Sequence, residues 1–156
     1  MGKKHWLMKT EPDAFSIQDL KGRPGKREHW DGVRNYQARN YMRDLMSVGD
    51  DVLFYHSSCT PAGIVGHATI AAAGYPDPSA LDPRSKYHDP KATPDKNPWV
   101  MVDVKFKREF ASMLTLEELR RVPGLKDMVL LKKGSRLSVQ PVTPEEFAIV
   151  MKLAGN

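Results

Sequence analysis

Cysteine is nearly missing: Cys59 is the single one in 156 residues. A lone thiol excludes an internal disulfide and any multi-cysteine zinc site, and it suits a reducing compartment, so a cytoplasmic location is expected. The sequence also lacks a run of about 20 mainly apolar residues, the length a membrane-spanning helix needs. Its longest uncharged stretch, between Asp51 and Asp77, is broken in the middle by His-Ser-Ser-Cys-Thr-Pro. The N-terminal MGKKHWLMKTEP becomes charged again at Lys9 before an apolar signal core develops, so no export signal or anchor is read there.

Several chemistries are missing as well. There is no Walker A loop, no Gly-x-Gly-x-x-Gly and no Gly-x-Ser-x-Gly elbow, and GIVG at 63–66 has too few glycines to count. The histidines, at 5, 29, 56, 67 and 88, never stand at metal-ligand spacing from one another. The His-x-Glu and Pro-Cys-x-x-Cys pair of zinc deaminases is absent. His56 and Cys59 are neighbours, but closeness along the chain is a poor warrant for a nucleophile pair, and a turn cysteine is more often a small filler. The expectation is therefore a binding protein, with no catalytic residue, metal or cofactor.

What is present is one domain's worth of ordinary globular sequence, 40% hydrophobic and 28% charged, expected to fold as a single unit over 1–156, with a monomer favoured and the oligomeric state otherwise left open. The net charge is +5 and is unevenly spread. Lys21 to Arg43 carries Lys21, Arg23, Lys26, Arg27, Arg34, Arg39 and Arg43 against only Glu28 and Asp31. Arg23, Lys26, Arg27, Arg34 and Arg39 are the candidate phosphate contacts in such a cluster. A solvated basic face accounts for the same residues equally well.

The pattern predicts a strand at 5–9, then a short helix opened by the Ser16/Asp19 capping box and stopped near Gly22 and Pro24. Residues 23–33 read as loop. A helix over 35–46, with Ala38, Tyr41, Met42, Leu45 and Met46 on one stripe, is closed by Gly49. Strands are expected at 51–56, 64–72 and 99–106, the last two separated by a long proline-rich connection of the kind that often carries function. Thr115 and Glu118 start another helix, and 125–131 is a second helical piece. A strand over 136–142 has its pairing ended by Pro141, and Thr143-Pro144-Glu145-Glu146 opens the C-terminal helix. The elements do not alternate as βαβ units do, so the class is α+β with a mainly antiparallel, barrel-like sheet.

The most unusual stretch is Trp30-Asp31-Gly32-Val33-Arg34-Asn35-Tyr36-Gln37-Ala38-Arg39-Asn40. An aromatic face for stacking, amides for base edges and arginines for phosphate are the parts of a site for an unstacked nucleotide. The alternative is that Trp30 packs on the core and Asn35 caps the following helix.

This string, with WLMKTEPDAFSIQDL before it and YHSS, GIVG, YPD, DPK, PW and RLSVQPV after it, closely resembles the EVE domain family from Trp6 to about Leu153. The resemblance implies a PUA-like fold: a twisted, mostly antiparallel β-barrel surrounded by short helices. It also implies a reader of a modified base, notably a modified cytosine in DNA, held flipped out of the duplex. By the same resemblance Trp30 stacks on the base, with Asp31, Val33 and Asn35 beside it, and Lys9, Thr10 and Glu11 reach the base edge. A carboxylate at Glu11 suits an exocyclic amine, though a salt bridge is an equal use for it. Tyr55, His56, Ser57, Ser138 and Gln140 match family strings where the pocket opens. Trp6 is expected in the core and Trp99 as a cover. The partner is thus nucleic acid, modified DNA ahead of RNA, and alternatives are modified RNA or tRNA, or a free modified nucleoside or other planar ligand.

Overall fold

The computed structural model describes residues 3–133 and 137–155. Among the described residues, ten elements carry the fold. They are β1 (His5–Thr10), α1 (Ile17–Gly22), β2 (Arg27–Trp30), α2 (Tyr36–Asn40), β3 (Asp51–His56), β4 (Gly63–Pro76), β5 (Val100–Thr115), α3 (Leu116–Arg120), β6 (Val139–Val142) and α4 (Pro144–Leu153). The strands form one sheet in the order β2-β5-β4-β3-β1-β6. β1 runs parallel to β3, with His5 opposite Asp51 and Thr10 opposite His56, and the other pairings are antiparallel. The class is α+β and PUA-like.

The sheet is apolar on both faces because alternate residues of the same strands feed two cores. Trp6, Met8, Val52 and Phe54 point to one side, joined by Ile17 and Leu20 of α1 and by Ala38 and Met42. Leu7, Leu53 and Tyr55 point to the other, beneath Leu119 of α3 and Val150 and Met151 of α4. Every strand sends a residue into the first core, from Trp30 on one sheet edge to Val139 on the opposite edge. Three strand spacings separate β2 from β3, about 14 Å if the sheet were flat. Yet the rings of Trp30 and Phe54 lie 5.4 Å apart, so the sheet coils around this core. Register breaks between β4 and β5, at Ile64/Gly66, His67/Ala68, Ile70/Ala72 and Ala72/Tyr75, supply the bends.

Local chemistry explains where elements start and stop. The capping boxes of Ser16 with Asp19, Thr115 with Glu118 and Thr143 with Glu146 all form, as their spacing predicts. Four expectations need correction. Residues 27–30 are not loop but an edge strand, held to β5 by backbone pairing and by the Arg27–Asp103 ion pair at 3.0 Å. The helix from Tyr36 widens into a π turn at Tyr41–Leu45, and the chain leaves helical conformation at Met46, before Gly49. The piece at 125–131 is two separate 3-10 turns, Pro123–Leu125 and Val129–Leu131. Pro141 does not end the pairing of β6, because on an edge strand it faces Trp6 without owing a ladder hydrogen bond and Val142 still pairs with His5. Arg136, at the start of the expected strand, lies outside the described residues.

Candidate nucleic-acid interface

Two hollows meet at Trp30. One, of about 520 Å³, is bounded by Lys9, Thr10 and Glu11 at the end of β1, by Trp30 to Val33, and by Ser57 and Ser138. The other, of about 410 Å³, lies between Phe15, Arg23, Glu28, His29 and the same tryptophan. Lys86 and Tyr87 of the long connection line both. β2 and β6 are opposite edges of the sheet, so the first hollow is where the coiled sheet brings its edges together. Backbone bonds stitch the rim: Ser57 N–H donates to Thr10 O at 2.9 Å, and Lys9 N–H donates to Ser138 O at 2.8 Å.

Trp30 is only 7% exposed. Its ring meets Phe15 and Phe54 edge-on, at 6.2 and 5.4 Å, while a remaining margin faces the hollows. It is thus both core and wall, where the sequence offered these as alternatives. Asp31 lines both hollows, and its carboxyl is pushed above the ordinary range by burial, with the Asp77 charge adding to the effect. Lys9 is held below the usual ammonium range by burial, with its Nζ 5.8 Å from the Tyr55 ring centre.

The expected residues do not all converge. Lys9, Thr10, Glu11, Trp30, Asp31, Val33, Ser57 and Ser138 share the larger hollow. Asn35 does not line it; its Oδ1 accepts from Ala38 N–H at 3.0 Å and caps α2. Tyr55 points into the core on the other face of the sheet, as strand alternation requires of a residue next to Phe54. His56 is 7% exposed, and its Nε2 accepts from Ile17 N–H at 3.1 Å, which fastens the start of α1 to β3. Gln140 is buried, and its side-chain amide donates to Leu137 O. Trp6 is core, with Nε1–H donating to Asp50.

Among the arginines, the role expected of Arg34 is corrected. Its guanidinium turns inward, donating to Tyr87 O at 2.9 Å, Val33 O at 2.9 Å, Asp77 at 3.1 Å and Ser79 at 3.1 Å. Asp77 has no exposed surface. Burial opposes its charge, but bonds from Ser79, the Gly32 backbone and Arg34 outweigh that and hold its carboxyl below the ordinary range. Trp99 sits under the Arg34 guanidinium, stacks on Tyr36 at 4.7 Å and donates to Asp89. Together these groups lash the 77–99 connection to the segment after Trp30, so Trp99 is a clamp within the loop. Arg39 donates to Asn40 and to Pro98 O. Arg23 pairs with Glu28 at 2.7 Å on the wall of the smaller hollow, and Lys26 stands over the Phe106 ring.

Lys86, Tyr87 and Phe15 are the functional candidates that sequence reasoning missed. The loop was marked by its prolines, but nothing in it singled out Tyr87. The structure shows the tie: Gly32, at φ +81°, lies so close beneath the Tyr87 ring that a Cβ there would stand 2.7 Å from it. Among the described residues no cluster of histidine, cysteine and carboxylate suits a metal ion, and no helix is long and apolar enough to cross a membrane.

These features define a class: a PUA-like α+β protein with an aromatic-walled, polar-rimmed hollow where the sheet edges meet. The EVE domain family profile matches residues 4–153, and the chain belongs to that family. Human thymocyte nuclear protein 1 is 42% identical over 166 residues, covering 96% of this chain and 73% of that protein. A crystal structure of a Pseudomonas putida protein, 57% identical, superposes with a TM-score of 0.91 over 96% of this chain and 99% of that one. The crystal structure of human THYN1 protein in complex with 5-methylcytosine-containing DNA, 40% identical, covers 99% of each chain with a TM-score of 0.93.

Proposed function

We propose that this protein is a reader of modified cytosine in DNA, and that it acts by binding alone. The observation that carries the reading is the Trp30 hollow, rimmed by Lys9, Thr10, Glu11, Ser57 and Ser138. It occurs in a chain that matches, over 99% of its length, a human protein solved with 5-methylcytosine-containing DNA. The base swings out of the stack and enters beside Trp30. Extrusion costs a few kcal/mol, and an aromatic contact recovers about 1–3 kcal/mol. A methyl group filling an apolar corner adds about 0.8 kcal/mol by the measure of one buried carbon. That last step makes the modified base the preferred guest.

Thr10, Ser57 and Ser138 offer hydroxyls to the base edge, and Glu11 accepts from the exocyclic amine of cytosine. Arg23, Lys26 and Arg39 face the backbone phosphates. As one domain acting in the cytoplasm, the protein marks a modified site and leaves any further chemistry to a partner. The test is a pair of otherwise identical duplexes, with cytosine or 5-methylcytosine at one position. Tighter binding of the methylated duplex, with the difference reduced in Trp30→Phe, supports the reading. Equal affinity for both duplexes overturns it.

A further inference from the structure

Charge on the folded surface is distributed differently from charge along the chain. Five of the seven cations between Lys21 and Arg43 sit on carboxylates: Lys21 on Glu109, Arg23 on Glu28, Arg27 on Asp103, Arg34 on Asp77 and Arg43 on Asp44. A second concentration of cations is not answered in this way. A hollow of about 640 Å³ opens at the opposite end of β1 and β3 from Trp30, with Lys3, Lys107, Arg108 and Lys152 on its walls. Asp51 and Glu11 mark the two ends, and β3 alone puts roughly 20 Å between Asp51 and Ser57. Among the described residues, Lys107, Arg108 and Lys152 form no ion pair.

Among the described residues the hollow contains one carboxylate, Asp51, and it is spent. Asp51 is buried, with Oδ1 2.9 Å from His67 Nε2 and 3.6 Å from Lys3 Nζ, and Oδ2 3.0 Å from His5 Nδ1. Phe147 backs both imidazoles, stacked on His5 at 4.5 Å and edge-on to His67 at 5.4 Å. Asp51 therefore faces inward to two rings and Lys3, and among the described residues no carboxylate answers Lys107, Arg108 or Lys152 on the rim.

The placement of those cations is built into the sheet. Pairing between β4 and β5 passes from His67 opposite Arg108 to Ala68 opposite Phe106, so Lys107 is an extra residue in the ladder. In a regular strand Lys107 and Arg108 would point to opposite faces. A bulge re-aims side chains, and here both line the same hollow. Arg108 is braced by donating to Ala154 O at 2.7 Å, and Lys152 arrives from the last turn of α4.

We propose that this hollow is a phosphate-binding site, which takes a phosphodiester of a polynucleotide backbone or a free phosphate monoester against Lys107 and Lys152, with the His67 ring behind. It does not depend on what enters the Trp30 hollow. The test follows the His67 ring resonances by NMR during titration with inorganic phosphate and, separately, with a short unmodified DNA duplex. Saturable shifts are expected, absent in the Lys107→Ala/Lys152→Ala double variant and unchanged in Trp30→Phe. Saturation at lower concentration by duplex assigns a backbone phosphate, and at lower concentration by inorganic phosphate a free monoester. No saturable shift with either, the same shift with sodium chloride at matched ionic strength, or a shift that survives in the double variant overturns the site. Loss of methylcytosine preference alone overturns the reader and leaves this site standing.

Discussion

Trp30 and Phe54 stand on strands three positions apart in the sheet, and their rings meet edge-on at 5.4 Å. The residue expected to hold the base is therefore also a keystone of the coiled sheet. Truncation and loss of recognition are entangled at this position. Trp30→Ala removes a buried indole and costs about 3–5 kcal/mol of stability. Trp30→Phe keeps the contact with Phe54 and costs less, but offers a smaller face to a base. Urea midpoints for both variants, set beside affinities for methylated and plain duplexes, separate the two roles. Trp30→Phe is expected to stay folded, with the preference for methylcytosine reduced. Unchanged preference in a folded Trp30→Phe counts against stacking on this ring.

Asp31 shows a cost in the fold at the same place. Burial, reinforced by the neighbouring Asp77 charge, raises its carboxyl above the ordinary range, so the folded state binds a proton there more readily than the unfolded chain. Stability contributed by the protonated form is lost as pH rises from the unfolded value through the raised folded one, and the deficit then persists at neutral pH. Asp31→Asn is expected to raise the urea midpoint at pH 7 and to leave it nearly unchanged below about pH 3.5, where both states carry a protonated group in the parent. DNA binding by the same variant decides why a destabilising charge stands there. Stability gained with affinity lost marks Asp31 as a site residue.

The strands that read well in the sequence are those whose apolar pattern is continuous, such as β1 and β3. The ends of β4 and β5 lie beyond the apolar runs, in segments such as Lys105-Phe106-Lys107-Arg108-Glu109, and pairing with a long neighbour carries them on. β2 is invisible for the same reason. Arg27-Glu28-His29-Trp30 has one buried residue, and it is a strand because β5 offers an edge and Asp103 meets Arg27. Of the residues that line the larger hollow, Lys9, Thr10, Glu11, Trp30, Asp31 and Val33 are legible from their strings. Tyr87 could not, since its place over Gly32 is set by contacts across more than fifty residues of chain. Arg34 misled because a count of charges treats every arginine as a surface group, whereas this one is consumed by Asp77, Ser79 and two carbonyls.

That latch has a measurable consequence. Arg34→Ala leaves Asp77 buried without its cation, a loss of about 3–5 kcal/mol for a broken buried pair. The lower end applies, since Asp77 keeps its bonds from Gly32 N–H and Ser79. The 77–99 connection should loosen first, so faster hydrogen exchange is expected there than in β3 and β4, together with weaker DNA binding through displaced Lys86 and Tyr87. Exchange that accelerates uniformly over the whole sheet would show that Arg34 supports global stability instead of positioning this loop.

Attraction to phosphate and choice of base should respond to different substitutions. Arg23 and Lys26 are exposed; Arg23 lines the smaller hollow, Lys26 lines neither, and neither reaches the larger hollow beside Lys9, Thr10 and Glu11. Removing one cation from a duplex phosphate flattens the dependence of log affinity on log salt by about 0.9. Arg23→Ala/Lys26→Ala is therefore expected to weaken methylated and plain duplexes by the same factor and to lower the salt slope by about one to two. Arg23 already answers to Glu28, which it must release to reach a phosphate, so Lys26 is expected to account for the larger part of the change. The ratio of the two affinities stays at its parent value, because phosphate contacts position a duplex and carry no base information. A double variant that alters that ratio would place Arg23 or Lys26 against the base itself.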